Sequence, residues 1–215
     1  MMIQGILLAA GAAKRFGSHK LLYPLADGTP IAAAAARHIK KSMQNVLAIV
    51  KPNDIKLAKL LSAEGLDIAI ATNSELGISA SLIAGIQATQ HAAGWVVALA
   101  DMPFIQPTTI SHTARLLAEG ATMVAPFYLG QRGHPVGLSK TLLPDLLKLS
   151  GDTGAGMFLK QNSHLLTQFN CDDIGVLRDI DTKFDLLVTP DNICLYSNSS
   201  TSVRRTLWKS LEKQP

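Results

Sequence analysis

The chain has 215 residues, 47% hydrophobic and 17% charged, with 20 basic against 16 acidic side chains and a formal charge of +4. That length suits one well-buried domain, and the composition lies well outside the disordered range. No apolar stretch reaches the roughly 18–20 residues of a membrane helix, and no basic helix interleaved with aromatics points to nucleic acid.

In chain order, Ile3–Ala9 is a short apolar run leading into glycine, as expected of a strand buried on both faces. Met1-Met2-Ile3-Gln4 sets no positive side chain ahead of it, so the start reads as a strand and not as a secretory signal. Ile31–Lys41 is alanine-rich and predicts a helix. Val46–Val50 repeats the strand pattern. Asp54–Ala63 spaces its apolar residues three and four apart, and predicts a second helix. Ile68–Ala71 reads as a strand, Ile78–His91 as a helix and Trp95–Ala100 as a strand. Thr108–Leu117 reads as a helix because Pro107 suits a first turn.

Four such alternations predict an α/β fold of three layers, α/β/α, with a mostly parallel central sheet and right-handed crossovers. The second half is looser. Met123–Tyr128, His134–Ser139 and Leu165–Phe169 read as strands, Leu142–Leu149 and Gly156–Gln161 as helices, extending the sheet with antiparallel strands on its far side. From Pro190 the chain turns polar, with one amphipathic piece at Val203–Leu211. The expectation is a domain over residues 1–189 and a tail over 190–215 carrying a terminal helix. Cys171 and Cys194 lack metal-ligand spacing, which suits a reduced cytoplasmic protein.

The densest signal is Leu7 to Lys20. A buried strand delivers the chain to a loop of small residues, Ala9-Ala10-Gly11-Ala12-Ala13, closely followed by Lys14, Arg15 and Lys20. Small side chains let backbone amides approach an anion, and the cations neutralise it. In an open α/β sheet such a ligand sits beyond the carboxyl ends of the strands. Five residues separate Gly11 from Gly17, one more than a Walker A loop allows, and Ala13 breaks the dinucleotide fingerprint Gly-x-Gly-x-x-Gly. The plainer alternative is a strand-to-helix turn with exposed cations.

Asp101 closes an apolar strand and precedes Met102-Pro103, a good place for a carboxylate that binds Mg²⁺; the alternative is a cap for the helix after Pro107. Asp179 and Asp181 alternate in Asp179-Ile180-Asp181-Thr182, so an extended chain turns both to one side; alternatively they cap a helix starting near Lys183. Asn73, Ser79 and Ser81 carry groups that read base edges; alternatively, Ser79 or Asn73 caps the helix near Ile78. Arg132-Gly133-His134-Pro135 sets a cation and an imidazole around a glycine that permits close backbone approach.

Leu8 to Lys20, read as Leu-x-Ala-Gly-x-x-x-Arg-Phe-Gly-x-x-Lys, resembles the signature loop of the MobA-like nucleotidyltransferases, which have a GT-A-like fold. The resemblance continues at Asn73–Leu82, Leu99-Ala100-Asp101-Met102-Pro103, Gly130–Val136, Gly151–Ala155 and Asp179–Thr182, over roughly residues 3–188. The branch it looks most similar to is molybdenum cofactor cytidylyltransferase. The resemblance implies Mg²⁺-dependent transfer of a nucleotidyl group from a nucleoside triphosphate to a phosphorylated acceptor such as a molybdopterin-type cofactor, with release of pyrophosphate. It assigns Ala9, Ala10, Gly11, Gly17, Asn73, Ser79 and Ser81 to the nucleotide. Arg15 and Lys20 go to the triphosphate, Asp101 and Asp181 to Mg²⁺ with Asp179 as alternate ligand, and Arg132 and His134 to the acceptor. The Ala9-Ala10-Gly11 form favours CTP over GTP. It also implies a transient contact with a cofactor-receiving enzyme and no membrane or nucleic-acid partner.

Ala13 replaces the usual Ser, and Lys183-Phe184 the usual Pro-Glu. These departures motivate an alternative, a non-catalytic nucleotide-binding regulator that retains the fold. A nicotinamide-dependent oxidoreductase ranks last, for want of the glycine fingerprint and a matching acidic ribose-binding residue.

Overall fold

Strand and helix alternate from the start: β1 (Ile3–Leu8), α1 (Ile31–Ser42), β2 (Val46–Val50), α2 (Ile55–Ala63), β3 (Asp67–Ile70), α3 (Ile78–Ala88), β4 (Gly94–Leu99) and α4 (Pro107–Ala118). Then come β5 (Met123–Tyr128), β6 (Gln131–Arg132), β7 (Val136–Ser139), α5 (Leu143–Leu146), α6 (Gly154–Gln161) and β8 (Leu166–Asn170). The structure, a computed structural model, describes residues 2–11, 16, 19–73, 77–151 and 154–186. The expected tail over 190–215 lies outside them.

The strands form one sheet in the order β3-β2-β1-β4-β7-β5-β6, with β8 added on β5. β1, β2, β3 and β4 pair in parallel, and β7 is antiparallel to both β4 and β5. β8 pairs parallel with β5. The antiparallel strands β7 and β6 thus extend the sheet beyond β4, as expected, while β5 and β8 among them resume the direction of the first half. The cause is local. Leu129-Gly130, both with positive φ (47° and 78°), form a two-residue reversal that turns β5 into β6, and the chain runs on antiparallel into β7.

Successive residues of β1 feed opposite faces. Leu7 and Ala9 pack with Ile31, Ala35, Ile39, Leu57, Leu61, Ile110 and Leu117 from α1, α2 and α4. Ile6 and Leu8 pack with Leu82, Ile86, Leu146 and Phe158 from α3, α5 and α6. These are the three layers that the alternation predicted. The helix expected over Leu142–Leu149 shrinks to a 3-10 turn, Lys140–Leu142, and the single α turn of α5, which Pro144 opens. Among the described residues no helix is long and apolar enough to cross a membrane.

Candidate active site

From β1 the chain builds outward through β2 to β3, then crosses to the other side of β1 to lay down β4. The strand order reverses between β1 and β4, and open α/β sheets bind ligands beyond the carboxyl ends of strands at such a point. The pairing Leu8↔Leu99 sets residues 9–11 beside residues 100–102, and Ala100 N donates to Leu8 O at 3.0 Å. Ala9 and Ala10 are buried, whereas Gly11 is exposed with no atom within 4 Å of where a Cβ would stand. Arg15 and Gly17 lie outside the described residues. Phe16 is buried and meets Tyr23 edge-on at 5.2 Å, which anchors the chain in the core just before Lys20.

Lys20 opens a 3-10 turn, Lys20–Leu22, and its side chain is only 8% exposed. Its ammonium donates to Asp101 Oδ2 at 2.9 Å and to Asp181 Oδ1 at 3.2 Å. Burial alone would depress the Lys20 pKa, but the hydrogen bonds and charges of Asp101, then of Asp181, outweigh it and leave the pKa raised. The sequence reading gave Lys20 to phosphate; in the structure it bridges two carboxylates, because a buried ammonium must be paired. Just before Lys20, His19 Nε2 meets Asp54 Oδ2 at 2.9 Å, tying this segment to the residue that caps α2.

Two further contacts hold Asp181 there. Ile180, itself buried, donates its N–H to Asp101 O at 2.9 Å, stitching this segment to the end of β4. Asp185 Oδ2 accepts from Asp181 N at 3.0 Å, Thr182 N at 2.7 Å and Thr182 Oγ1 at 2.9 Å. Asp185, in the turn Lys183–Leu186, thus reaches back to the residues before that turn as the acidic member of a capping box. Asp101 is not the cap of α4. The N-cap is Gln106, and Asp173 Oδ2 braces it by accepting from Gln106 N at 2.8 Å and Thr109 Oγ1 at 2.7 Å. Of the two alternating aspartates, Asp181 shares Lys20 with Asp101. Asp179 keeps solvent contact, yet partial desolvation, then the charges of Asp181, Asp101 and Asp185, raise its pKa.

Arg132 and His134 flank the same end of β4. Gly133 N donates to Pro126 O at 2.8 Å and His134 N to Val176 O at 2.9 Å. A Cβ on Gly133 would stand 2.6 Å from Val176, so only glycine lets these segments meet. Arg132 is exposed and reaches the first turn of α6, its Nη2 3.7 Å from where a Gly156 Cβ would stand. Burial, then the Arg132 charge, hold the His134 pKa down at about 4, against a weaker upward pull from Asp101. The imidazole is therefore neutral at physiological pH, and its buried Nδ1 has no partner among the described residues.

Asn73 and the two serines do not join this cluster. The N-cap of α3 is Gly77, at φ 105°, so the expectation that Asn73 or Ser79 caps that helix fails. Ser79 is fully buried and donates to Gly151 O at 2.6 Å, and Ser81 is nearly as buried. Asn73 lines a groove of about 540 Å³ with Thr72, Gln87, Ser150, Ile83 and Leu149. Asp185 and Asp173 were missed by sequence reasoning. The spacing Thr182-x-x-Asp185 is a readable capping box, whereas the partners of Asp173 on α4 lie 64 and 67 residues away.

Two carboxylates from distant segments already converge on one cation, the Lys20 ammonium. Such hard oxygen donors suit Mg²⁺ or Mn²⁺, for which one or two carboxylates suffice when phosphate oxygens complete the shell. Among the described residues no group of three or more His, Cys, Asp or Glu is arranged to hold a metal alone. The pair therefore fits a metal delivered with a polyphosphate.

Comparison with known proteins identifies the family. The MobA-like NTP transferase domain matches residues 5–165. Nicotine blue oxidoreductase of Paenarthrobacter nicotinovorans is 30% identical over 189 residues, covering 84% of this chain and 92% of that protein. Purine catabolism protein PucB of Bacillus subtilis is 26% identical, over 83% and 91% of the two chains. Among solved structures, Rv0371c of Mycobacterium tuberculosis superposes with a TM-score of 0.75 at 26% identity, covering 86% of this chain and 94% of that one. The same mycobacterial protein has been solved in complex with manganese, at a TM-score of 0.71 and 22% identity, over 86% and 96% of the chains. With its family domain matched over well more than half its length, the chain belongs to the MobA-like NTP transferases.

Proposed function

We propose that this protein is a divalent-metal-dependent nucleotidyltransferase, passing CMP, with GMP as the alternative, from a nucleoside triphosphate to a phosphorylated acceptor such as a molybdopterin-type cofactor. The observation that carries this reading is the convergence of Lys20, Asp101 and Asp181 at the switch point of the sheet. An oxygen of the acceptor's terminal phosphate attacks the α-phosphorus, the bond to the β-phosphate bridge breaks, and pyrophosphate leaves. The attacking oxygen is already anionic, so no general base is required. Asp101 and Asp181 would hold the metal, Mg²⁺ by preference, and when bound it would supply charge neutralisation on the phosphoryl oxygens and the leaving group. The backbone around Ala9, Ala10 and Gly11, together with Arg15, Gly17 and Lys20, positions the triphosphate. Arg132 pairs with the acceptor's phosphate, while the neutral His134 offers it a hydrogen bond. The acceleration comes from positioning and preset charge. Residues 1–189 form the transferase domain and 190–215 an appended tail. A cytoplasmic location and a passing contact with the enzyme that receives the cofactor belong to the same reading.

The Ala9-Ala10-Gly11 loop favours CTP. The test is calorimetric binding of CTP, GTP, ATP and NADPH in the presence of Mg²⁺, followed by pyrophosphate release with candidate acceptors. CTP binding that weakens in Asp101→Ala is expected. Tighter GTP binding would move the base assignment, and the absence of any triphosphate binding would overturn the reading.

A second reading, hydride transfer from a nicotinamide, has one observation behind it, the name of the relative at 30% identity. It predicts NADPH binding and oxidation indifferent to Asp101→Ala, so the same panel separates the two.

A further inference from the structure

The counter-ion of the Asp101–Asp181 pair is a side chain, and that governs how a metal can enter. Lys20 Nζ lies 2.9 Å from Asp101 Oδ2 and 3.2 Å from Asp181 Oδ1. The two carboxylate oxygens are thus at most about 6 Å apart, a distance at which unpaired like charges repel appreciably. The Asp101 and Asp181 side chains are 26% and 48% exposed against 8% for Lys20. The ammonium is the buried member, and the carboxylates open to solvent. Asp179 and Asp185 add negative charge nearby, while His134 is neutral. A Mg²⁺ ion bonded to both oxygens at about 2.0–2.1 Å would need the space in which the ammonium hydrogens now lie.

We infer that Lys20 is a resident monovalent cation of this pair, which a divalent ion enters only in exchange for it. The released ammonium is taken up by the triphosphate that arrives with the metal. This inference rests on the metal-nucleotide reading of the same site and adds a binding order to it: metal and nucleotide load as a unit, and the metal alone binds weakly. Lysine suits the exchange because its single point charge rides on a flexible four-carbon stem, whereas an arginine fork would lock onto one carboxylate. The two binding events are then linked, each strengthening the other by the same factor.

The test is Mn²⁺ binding to the full chain, followed by the loss of the free-ion paramagnetic resonance signal, with and without CTP. Wild type should bind Mn²⁺ alone weakly and Mn²⁺·CTP well. Lys20→Met should bind Mn²⁺ alone at least tenfold more tightly than wild type, and Mn²⁺ should raise its Tm by more. Lys20→Gln should behave likewise, and answers the question if the Met variant does not fold. Variants that bind Mn²⁺ alone no more tightly than wild type overturn the exchange, while wild-type Mn²⁺·CTP binding that depends on Asp101 leaves the transferase reading standing. Wild-type protein that binds neither Mn²⁺·CTP nor Mn²⁺·GTP, or binds them equally well as Asp101→Asn, would overturn both.

Discussion

The Lys20–Asp101–Asp181 cluster and the Arg132–His134 corner meet at the same end of β4, yet they bury polar groups by opposite means. The cluster balances charge with charge: one ammonium serves two carboxylates. The corner sheds its charge: desolvation and a neighbouring guanidinium keep the proton off His134 down to a pH of about 4. Burying an ion is costly unless it is paired, and these are the two ways around that cost. The difference suggests a division of labour. The cluster suits ions that exchange with ions, whereas the corner suits a ligand group that takes a hydrogen bond from a neutral ring.

The strongest way to break this contrast is to remove charge from the cluster. Asp101→Ala takes away one carboxylate of the pair, and pyrophosphate release should fall by at least about 100-fold. Near-wild-type turnover would mean that the cluster is structural. The corner is tested through pH. The folded-state pKa of His134 lies below its ordinary 6.5, so the unfolded chain takes up the proton first. Stability is then full above about pH 6.5 and is lost as pH falls toward 4, by about 2 kcal/mol once partial solvent access is allowed for. Asp179, with its raised pKa, works in the opposite direction, so the decisive quantity is the difference from His134→Gln, which should flatten this part of a urea-denaturation profile. Lys20 sharpens the comparison, because its raised pKa keeps its contribution whole through that window. That contribution is lost only as pH rises through the folded-state value, above 10.5.

Much of the fold was legible because its signals are local. β2 and β5 fall on the predicted boundaries and β4 is displaced by one residue, since each is an unbroken apolar run ended by a turn. α4 begins at Pro107 for the reason the sequence suggested. The placement of β7 between β4 and β5 was not legible, because strand order depends on which neighbour a hairpin folds against and not on the hairpin's own residues. The site divides in the same way. Asp101 and Asp181 stood out by motif, but Lys20 lies 81 and 161 residues from them, and no spacing rule says that its ammonium bridges the two. The state of His134 was equally hidden, since its proton depends on Arg132 and on burial that only packing creates.

Asp185 gives the smallest predicted effect and the finest test of how the cluster is held. Its carboxylate accepts three hydrogen bonds from Asp181 and Thr182 and touches neither Lys20 nor Asp101 in any hydrogen bond of the described residues. Replacing it with alanine should cost about 1 kcal/mol of stability, as loss of a cap does. A purely structural cap would lower Tm and nothing else. A positioning residue would also weaken Mn²⁺·CTP binding, by a few-fold, because Asp181 is no longer fixed beside Asp101. Asp185→Asn keeps an accepting oxygen and should recover part of that affinity. If the effect passes through Asp181, it should disappear in an Asp181→Ala background, since residues in one network are not additive. An undiminished effect there would show that Asp185 acts on the site by another route.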